Sequence, residues 1–407
     1  MALTVRTMIL TLLLLAALLS GCQQVIDAVT DAVTDGSDSA GSVEAVVISP
    51  ATVGMAITGT AQLAAEVVGE GEPSQEVTWS SHDASIATVD QTGLVTSVAE
   101  GATTVVATSV VAPEVSGTAE VRVSRWNPME SGVHFGLTGL WGSDAAGLYA
   151  VGDAGMVLHL DGDEWRIMDT PTNRVLEAVW GSAPDNVYAV GHQVTILHYD
   201  GEEWRPLTSP TDRGAERFYG IWGSGADDIF VVGHSHHLVS PDRGTIIHFD
   251  GSAWSLMDSP TMEPLHDVWG SAPDNVFAVG GRGTILHYDG ERWRELESPT
   301  TRHLYAVWGS SAETVTAVGS GTIVQILDHG DEQFSIIENQ VPYQLRGVWG
   351  SSDELFAVGQ SPILYDDGTT LHEMTNPTSR LNDVWGDHQQ VYAVGEGGAI
   401  LRLDEQP

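Results

Sequence analysis

LHDVWGSAPDNVFAVGGRGTILHYDGERWRELESPT, residues 265–300, is one copy of a pattern that recurs down the last two-thirds of this 407-residue chain. Each copy centres on a Trp-Gly pair, at Trp141, Trp180, Trp222, Trp269, Trp308, Trp349 and Trp385. Their spacings of 39, 42, 47, 39, 41 and 36 residues set a period near forty, the mark of a radial or stacked repeat array. Within the quoted copy, LHDVWGS, NVFAVG, TILHYDG and WRELESP are short runs rich in Val, Ile, Trp and Tyr, which read as strands. SAPDN, GRG and DGER between them are turn clusters. Asp-Gly recurs before the outer tryptophans (Asp161-Gly162, Asp200-Gly201, Asp250-Gly251, Asp289-Gly290), a hairpin signal because Gly accepts positive φ. Four antiparallel strands, seven times over, predict a seven-bladed β-propeller in an all-β chain.

The closing strand is legible as well. Trp165 precedes Trp180 by 15 residues, and the pairs Trp254/Trp269 and Trp293/Trp308 keep that distance. Trp126 precedes Trp141 by the same 15, while the seventh copy ends at AILRLDEQP without a fourth strand. The segment around Trp126 is therefore expected to supply the outer strand of the last blade, which hides two open sheet edges at once.

The single cysteine, Cys22, sits in Leu19-Ser20-Gly21-Cys22 behind Arg6 and an apolar run from Met8 to Leu19. That run is too short for a stable membrane span and reads as a signal peptide. LSGC resembles the lipobox of bacterial lipoproteins. The resemblance implies cleavage after residue 21, lipidation of Cys22, and, with Gln23 following, residence at the outer membrane. Residues 22–41 are small, acidic and free of aromatics, a tether rather than a domain. A lipidated Cys22 leaves no thiol for a disulfide, so stability must come from the cores.

The formal net charge is −39, and all 16 cations are arginine. Such a chain repels polyanions, so nucleic-acid binding is not expected. The expected contacts are a membrane, through the lipid anchor, and a protein or glycan ligand. A monomer is expected.

Residues 42–124 hold several short strand-like runs, from VEAVVIS to TAEVRVS, and predict a small β-sandwich. The stretch VTWSSHDASIATVDQTGLVTSVAEGATTVVATS, residues 77–109, resembles the group 2 bacterial immunoglobulin-like domain of intimins and invasins. That resemblance implies a spacer or adhesive module with Trp79 in its core. Residues 125–407 resemble the VWGSxPDNVYAVG repeat proteins of exported bacterial surfaces, and more distantly kelch and photosystem II assembly-factor propellers. These resemblances imply a fold and leave the chemistry open.

Candidate sites fall in three groups. Histidines recur in the third strand (His159, His198, His248, His287), where they are expected to be hydrogen-bonded sheet residues. The third copy inserts GHSHHLVSPDRG, residues 233–244; His234, His236, His237 and Asp242 there could ligate a divalent cation such as zinc. No other cofactor is expected.

The third group is a charge asymmetry. If the chain enters each blade at its inner strand, the outer-to-inner crossovers and the middle hairpins share one face. That face collects Arg174, Arg213, Arg217, Arg243, Arg282, Arg302, Arg346 and Arg380, half of all arginines, four of them (Arg174, Arg213, Arg302, Arg380) in a P-T-x-R pattern. The plain reading pairs the P-T-x-R arginines with carboxylates of the next blade, worth ~0–1 kcal/mol each. The functional reading is a recognition face for anionic groups, with Tyr219, His266 and Tyr305 rimming the central channel. The opposite face gathers acids such as Asp185, Asp274, Asp200 and Asp289. No catalytic motif is present. The chain reads as a lipid-anchored binding or adhesion protein, with a polysaccharide hydrolase or lyase as the alternative.

Overall fold

The computed structural model describes residues 42–403 except 58, 144–145, 212–215, 236–242, 330–333, 352–353, 361 and 388–389. The signal segment, Cys22 and the tether lie outside the described residues. Two compact units meet between Val123 and Ser124. Among the described residues no helix is long and apolar enough to cross a membrane.

The first unit is a small β-sandwich. Thr52–Ala56, Ser116–Ser124, Gly101–Ser109 and Val77–Ser81 form one sheet in that order, and Thr60–Gln62, Leu94–Ser97 and Ala87–Val89 a second. Val43–Ser49 pairs with Ala64–Gly69 beside them. Alternation puts Val105, Ala107, Val121 and Val123 inward, and Trp79 is buried among them as expected. Thr52–Ala56 is a strand the sequence reading did not name.

The second unit is a β-propeller. Its inner strands each carry a Trp-Gly pair, and each contacts the next in a closed circle, Leu137–Ser143 meeting Leu381–Gly386 at the seam. The Trp-Gly pair explains itself in three dimensions. The indole of each repeat lies on the glycine of the next: Trp141 on Gly181, Trp180 on Gly223, Trp222 on Gly270, and so on round to Trp385 on Gly142. A methyl group on Gly270 would stand 2.6 Å from Trp222 Cη2, inside van der Waals contact. Gly270→Ala should therefore cost about 1–3 kcal/mol as an overpacked core does. Urea unfolding checks this, and an unchanged midpoint would contradict it.

Trp126–Met129 completes the last sheet, pairing antiparallel with Ile400–Leu403 so that Pro128 faces Leu401. The edge-on packing of outer aromatics repeats round the ring. Trp204 meets Tyr149, Trp254 meets Tyr188, Trp293 meets Phe230, and Trp126 meets Phe356 with ring centroids 5.9 Å apart. Trp126 thus fills, for the last sheet, the place its sequence offset predicts, and it is fully buried.

The fifth and sixth repeats keep the four-strand order but run some strands together. Thr314–Asp328 holds the second and third strands of the fifth repeat, folded back so that the Asp328 N–H donates to the Glu313 carbonyl at 3.0 Å, and Phe334–Gly350 carries the outer strand of the fifth repeat into the inner strand of the sixth. The cause lies in two local sequences. AVGSGTI is one residue shorter than AVGGRGTI at the middle turn, so the turn is tight and the pairing is irregular only between Ser320 and Thr322. ENQVPYQLRG also lacks the S-P-T crossover, so outer strand and next inner strand are continuous.

Candidate functional site

The seven inner strands share a local irregularity. Each slips its register at the residue three places before its tryptophan: between Leu137 and Gly139, Leu176 and Ala178, Phe218 and Gly220, Leu265 and Asp267, Leu304 and Ala306, Leu345 and Gly347, Leu381 and Asp383. A bulge leaves one residue unpaired and re-aims its side chain. The bulged residues are Thr138, Glu177, Tyr219, His266, Tyr305, Arg346 and Asn382, and all line the central channel. The position is structural and repeated, whereas the seven occupants are six residue types. The backbone builds a mount; the side chain on it is free to specify a ligand.

Four of the sequence-predicted residues meet there. Tyr219 and His266 rings are 5.6 Å apart, and His266 and Tyr305 5.3 Å. The Arg346 guanidinium lies over the Tyr305 ring at 5.3 Å, a cation–π contact. His303 stacks beside Tyr305 at 6.2 Å. At the other end, Glu177 Oε1 and His192 Nε2 are 2.7 Å apart, and Arg217 stands within hydrogen-bonding reach of Tyr219. The result is an arc from Glu177 to Arg346 across five adjacent repeats. Burial, with the nearby His303, His234 and Arg346, holds His266 down to about 4. Burial and Arg380 likewise lower Arg346.

The P-T-x-R arginines do something else. Arg174 Nη1 donates to the carbonyl of Gln193 at 2.8 Å, and Arg302 Nη1 to that of Ser320 at 2.9 Å. Arg380 pairs with Glu396 at 2.9 Å. Every partner lies in the middle turn of the repeat that the crossover enters: Arg380 meets a carboxylate there, as expected, whereas for Arg174 and Arg302 the expected carboxylate is corrected to a backbone carbonyl. The reason is geometric: crossover and middle hairpin of one repeat are neighbours on the same face. Arg213 lies outside the described residues.

The inserted third-copy loop is shorter than its sequence suggested, because the hairpin runs on into it. His234 pairs with Gly244 and Ser235 with Arg243 as strand residues. His234 is buried; His236, His237 and Asp242 are outside the described residues. Among the described residues no group of three or more His, Cys, Asp or Glu could hold a metal. The third-strand histidines are hydrogen-bonded sheet residues as expected, for example His198 to Asn186 at 2.8 Å and His287 to Asn275 at 2.8 Å.

Below the bulges, Asp267 and Asp383 were not foreseen. Each carboxylate accepts two backbone N–H groups, one from the next residue of its own strand and one from an adjacent inner strand. Asp267 takes Val268 and Val307, each at 2.8 Å; Asp383 takes Val384 at 2.9 Å and Leu140 at 2.8 Å. They keep a little surface toward the channel, yet protein walls surround it. Burial therefore pushes both up to about 7, and Asp267 adds to the shift at Asp383. They fasten strands together rather than face a ligand.

The comparisons agree with this architecture. The model of the bacterial Ig-like domain (group 2) matches residues 42–119. No curated protein matches the chain. Among solved structures, YCF48 bound to a D1 peptide is 15% identical, with a TM-score of 0.55 over 69% of this chain and 96% of that one. YCF48 from Cyanidioschyzon merolae is 16% identical, TM-score 0.56, over 68% and 98%. The WD40 β-propeller domain of Doa1 is 10% identical, TM-score 0.56, over 70% and 98%. The likeness is one of fold: an immunoglobulin-like domain precedes a β-propeller.

Proposed function

We propose that this chain is a lipid-anchored, exported binding protein whose propeller captures a protein or glycan partner at the bulge ring. The observation that carries it is the ring itself: seven equivalent backbone mounts with unlike side chains. A purely structural ring would repeat its residues, as the Trp-Gly pairs do. The occupants instead break the symmetry, which selective recognition requires. The face is also where arginines gather on a strongly acidic chain. A propeller of similar fold is known bound to a peptide, which supports the reading by analogy only.

The immunoglobulin-like domain and the acidic tether serve as spacers between membrane and propeller. Cys22 carries the anchor. Two acyl chains hold firmly, since each buried CH₂ contributes about 0.8 kcal/mol. Cys22→Ser should move the protein from the membrane to a soluble fraction, read by fractionation; unchanged membrane association would refute the anchor. The partner is sought by glycan-array and protein capture with the chain from residue 23 onward, which keeps both compact units. Capture that survives loss of the ring side chains would overturn the binding site proposed.

A further inference from the structure

Arg346 sets the chemistry of the ring. Its guanidinium is half-buried at the channel mouth, and its closest described contact is the face of Tyr305, not a carboxylate. A partly desolvated cation without a close anion is costly. On a chain with 55 acids to 16 arginines, the absence of a carboxylate paired with it among the described residues is informative; Glu396 and Glu177 act on it only from farther off. Glu177 lies elsewhere on the ring, held by His192 and with Arg217 at the same end; among the seven bulged residues Arg346 is the one cation and Glu177 the one carboxylate.

Between them stand ring faces: Tyr219, His266, Tyr305 and His303. Tyr219, His266 and Tyr305 line a cavity of about 200 Å³ continuous with the channel, below the roughly 300–1,000 Å³ of pockets for drug-sized molecules. One small ring fits it better than a chain threaded through. The polar atoms converge from all round a circle, because each bulge aims one side chain at a common axis. A sugar ring presents its hydroxyls round a circle too, whereas an extended peptide presents its polar groups in rows along a line.

Resting on the proposed binding role, we infer that the bulge ring binds an acidic sugar, a hexuronate unit, with its carboxylate on Arg346 and its hydroxyls toward Glu177. The aromatic faces of Tyr219 and Tyr305 hold the ring between them. Arg matches a carboxylate with two parallel N–H donors, and the face-on Tyr305 keeps that fork oriented.

The test uses the chain from residue 23 onward and three probes: methyl glucuronoside, methyl glucoside, and N-acetyl-glutamate amide. Calorimetry gives affinity, and fluorescence of the channel tryptophans reports occupancy. The glucuronoside should bind at least about tenfold more tightly than the neutral glucoside, the size of one charge-assisted hydrogen bond. Arg346→Gln should remove that preference, and Arg346→Lys should restore part of it. With the unaltered chain, glucuronoside affinity should fall as salt rises, since the contact is ionic. This arm needs no variant to fold.

Equal affinity for both sugars, no saturable binding of the glucuronoside, or a preference kept by Arg346→Gln would overturn the inference. So would tighter binding of the glutamate probe, which would point to an acidic peptide. If the glucuronoside fails while the ring still captures another partner, the sugar assignment falls and the binding role stands. If ring substitutions leave every capture intact, both fall.

Discussion

A propeller beginning at Asn127 should unfold at a much lower temperature than one beginning at Ser124, and without a sharp transition. Only three residues separate them, but Trp126 is one. Its indole is fully buried against Phe356, its strand is the outer strand of the last sheet, and Ser124 Oγ donates to the carbonyl of Thr375. Loss of a buried tryptophan alone costs about 3–5 kcal/mol, a large part of a domain's ~5–15 kcal/mol. Removing it also uncovers the edge of Ile400–Leu403, which invites association. Trp126→Ala in the full chain separates the two effects, since it keeps the strand. Equal melting temperatures for the two shortened chains would show that the ring does not depend on this clasp.

The second large effect is a pH dependence set by Asp267 and Asp383. Their folded-state values lie near 7 against an ordinary 3.8, so the folded chain holds protons that the unfolded chain releases. Their stabilising contribution is therefore complete below about pH 4 and is lost as pH rises through about 7. At 1.36 kcal/mol per unit the ceiling is about 4 kcal/mol for each. The melting temperature should fall from pH 5 to pH 8. Asp383→Asn should start lower at pH 5, because an amide cannot accept both N–H groups, and then show a flatter profile. General repulsion among the many surface acids has the same sign, but it is present in both proteins. Parallel profiles would place the pH dependence elsewhere.

Much of this was written plainly in the sequence. The forty-residue period and the turn clusters define the sheets. The 15-residue offset of Trp126 identifies the clasp, because the outer aromatics pack the same way in repeat after repeat. Tyr219, His266 and Tyr305 could be placed at the channel because they share one offset from Trp-Gly. That same offset would have added Thr138, Glu177 and Asn382, had the bulge been recognised as repeating. The rest depended on partners remote in sequence. Asp267 accepts a bond from Val307, and Asp383 from Leu140 across the ring seam; neither donor is visible near the acid in sequence. Arg380 meets a carboxylate as its sequence suggested, but Arg174 and Arg302 meet backbone carbonyls instead, which only the folded turn shows. The run-together strands of the fifth and sixth repeats follow from a middle turn one residue short and a missing S-P-T crossover, which strand propensity alone does not weigh.

The most direct measurement compares partner capture by two double variants of matched stability. Arg217→Glu with Arg346→Glu reverses charge at the arc on the crossover face. Asp185→Ala with Asp274→Ala removes charge from the opposite face. The account predicts at least about a tenfold loss of affinity for the first pair, as for charged hydrogen bonds broken, and none for the second. Full capture by the arginine pair, with loss by the aspartate pair, would contradict it and move the site to the acidic face.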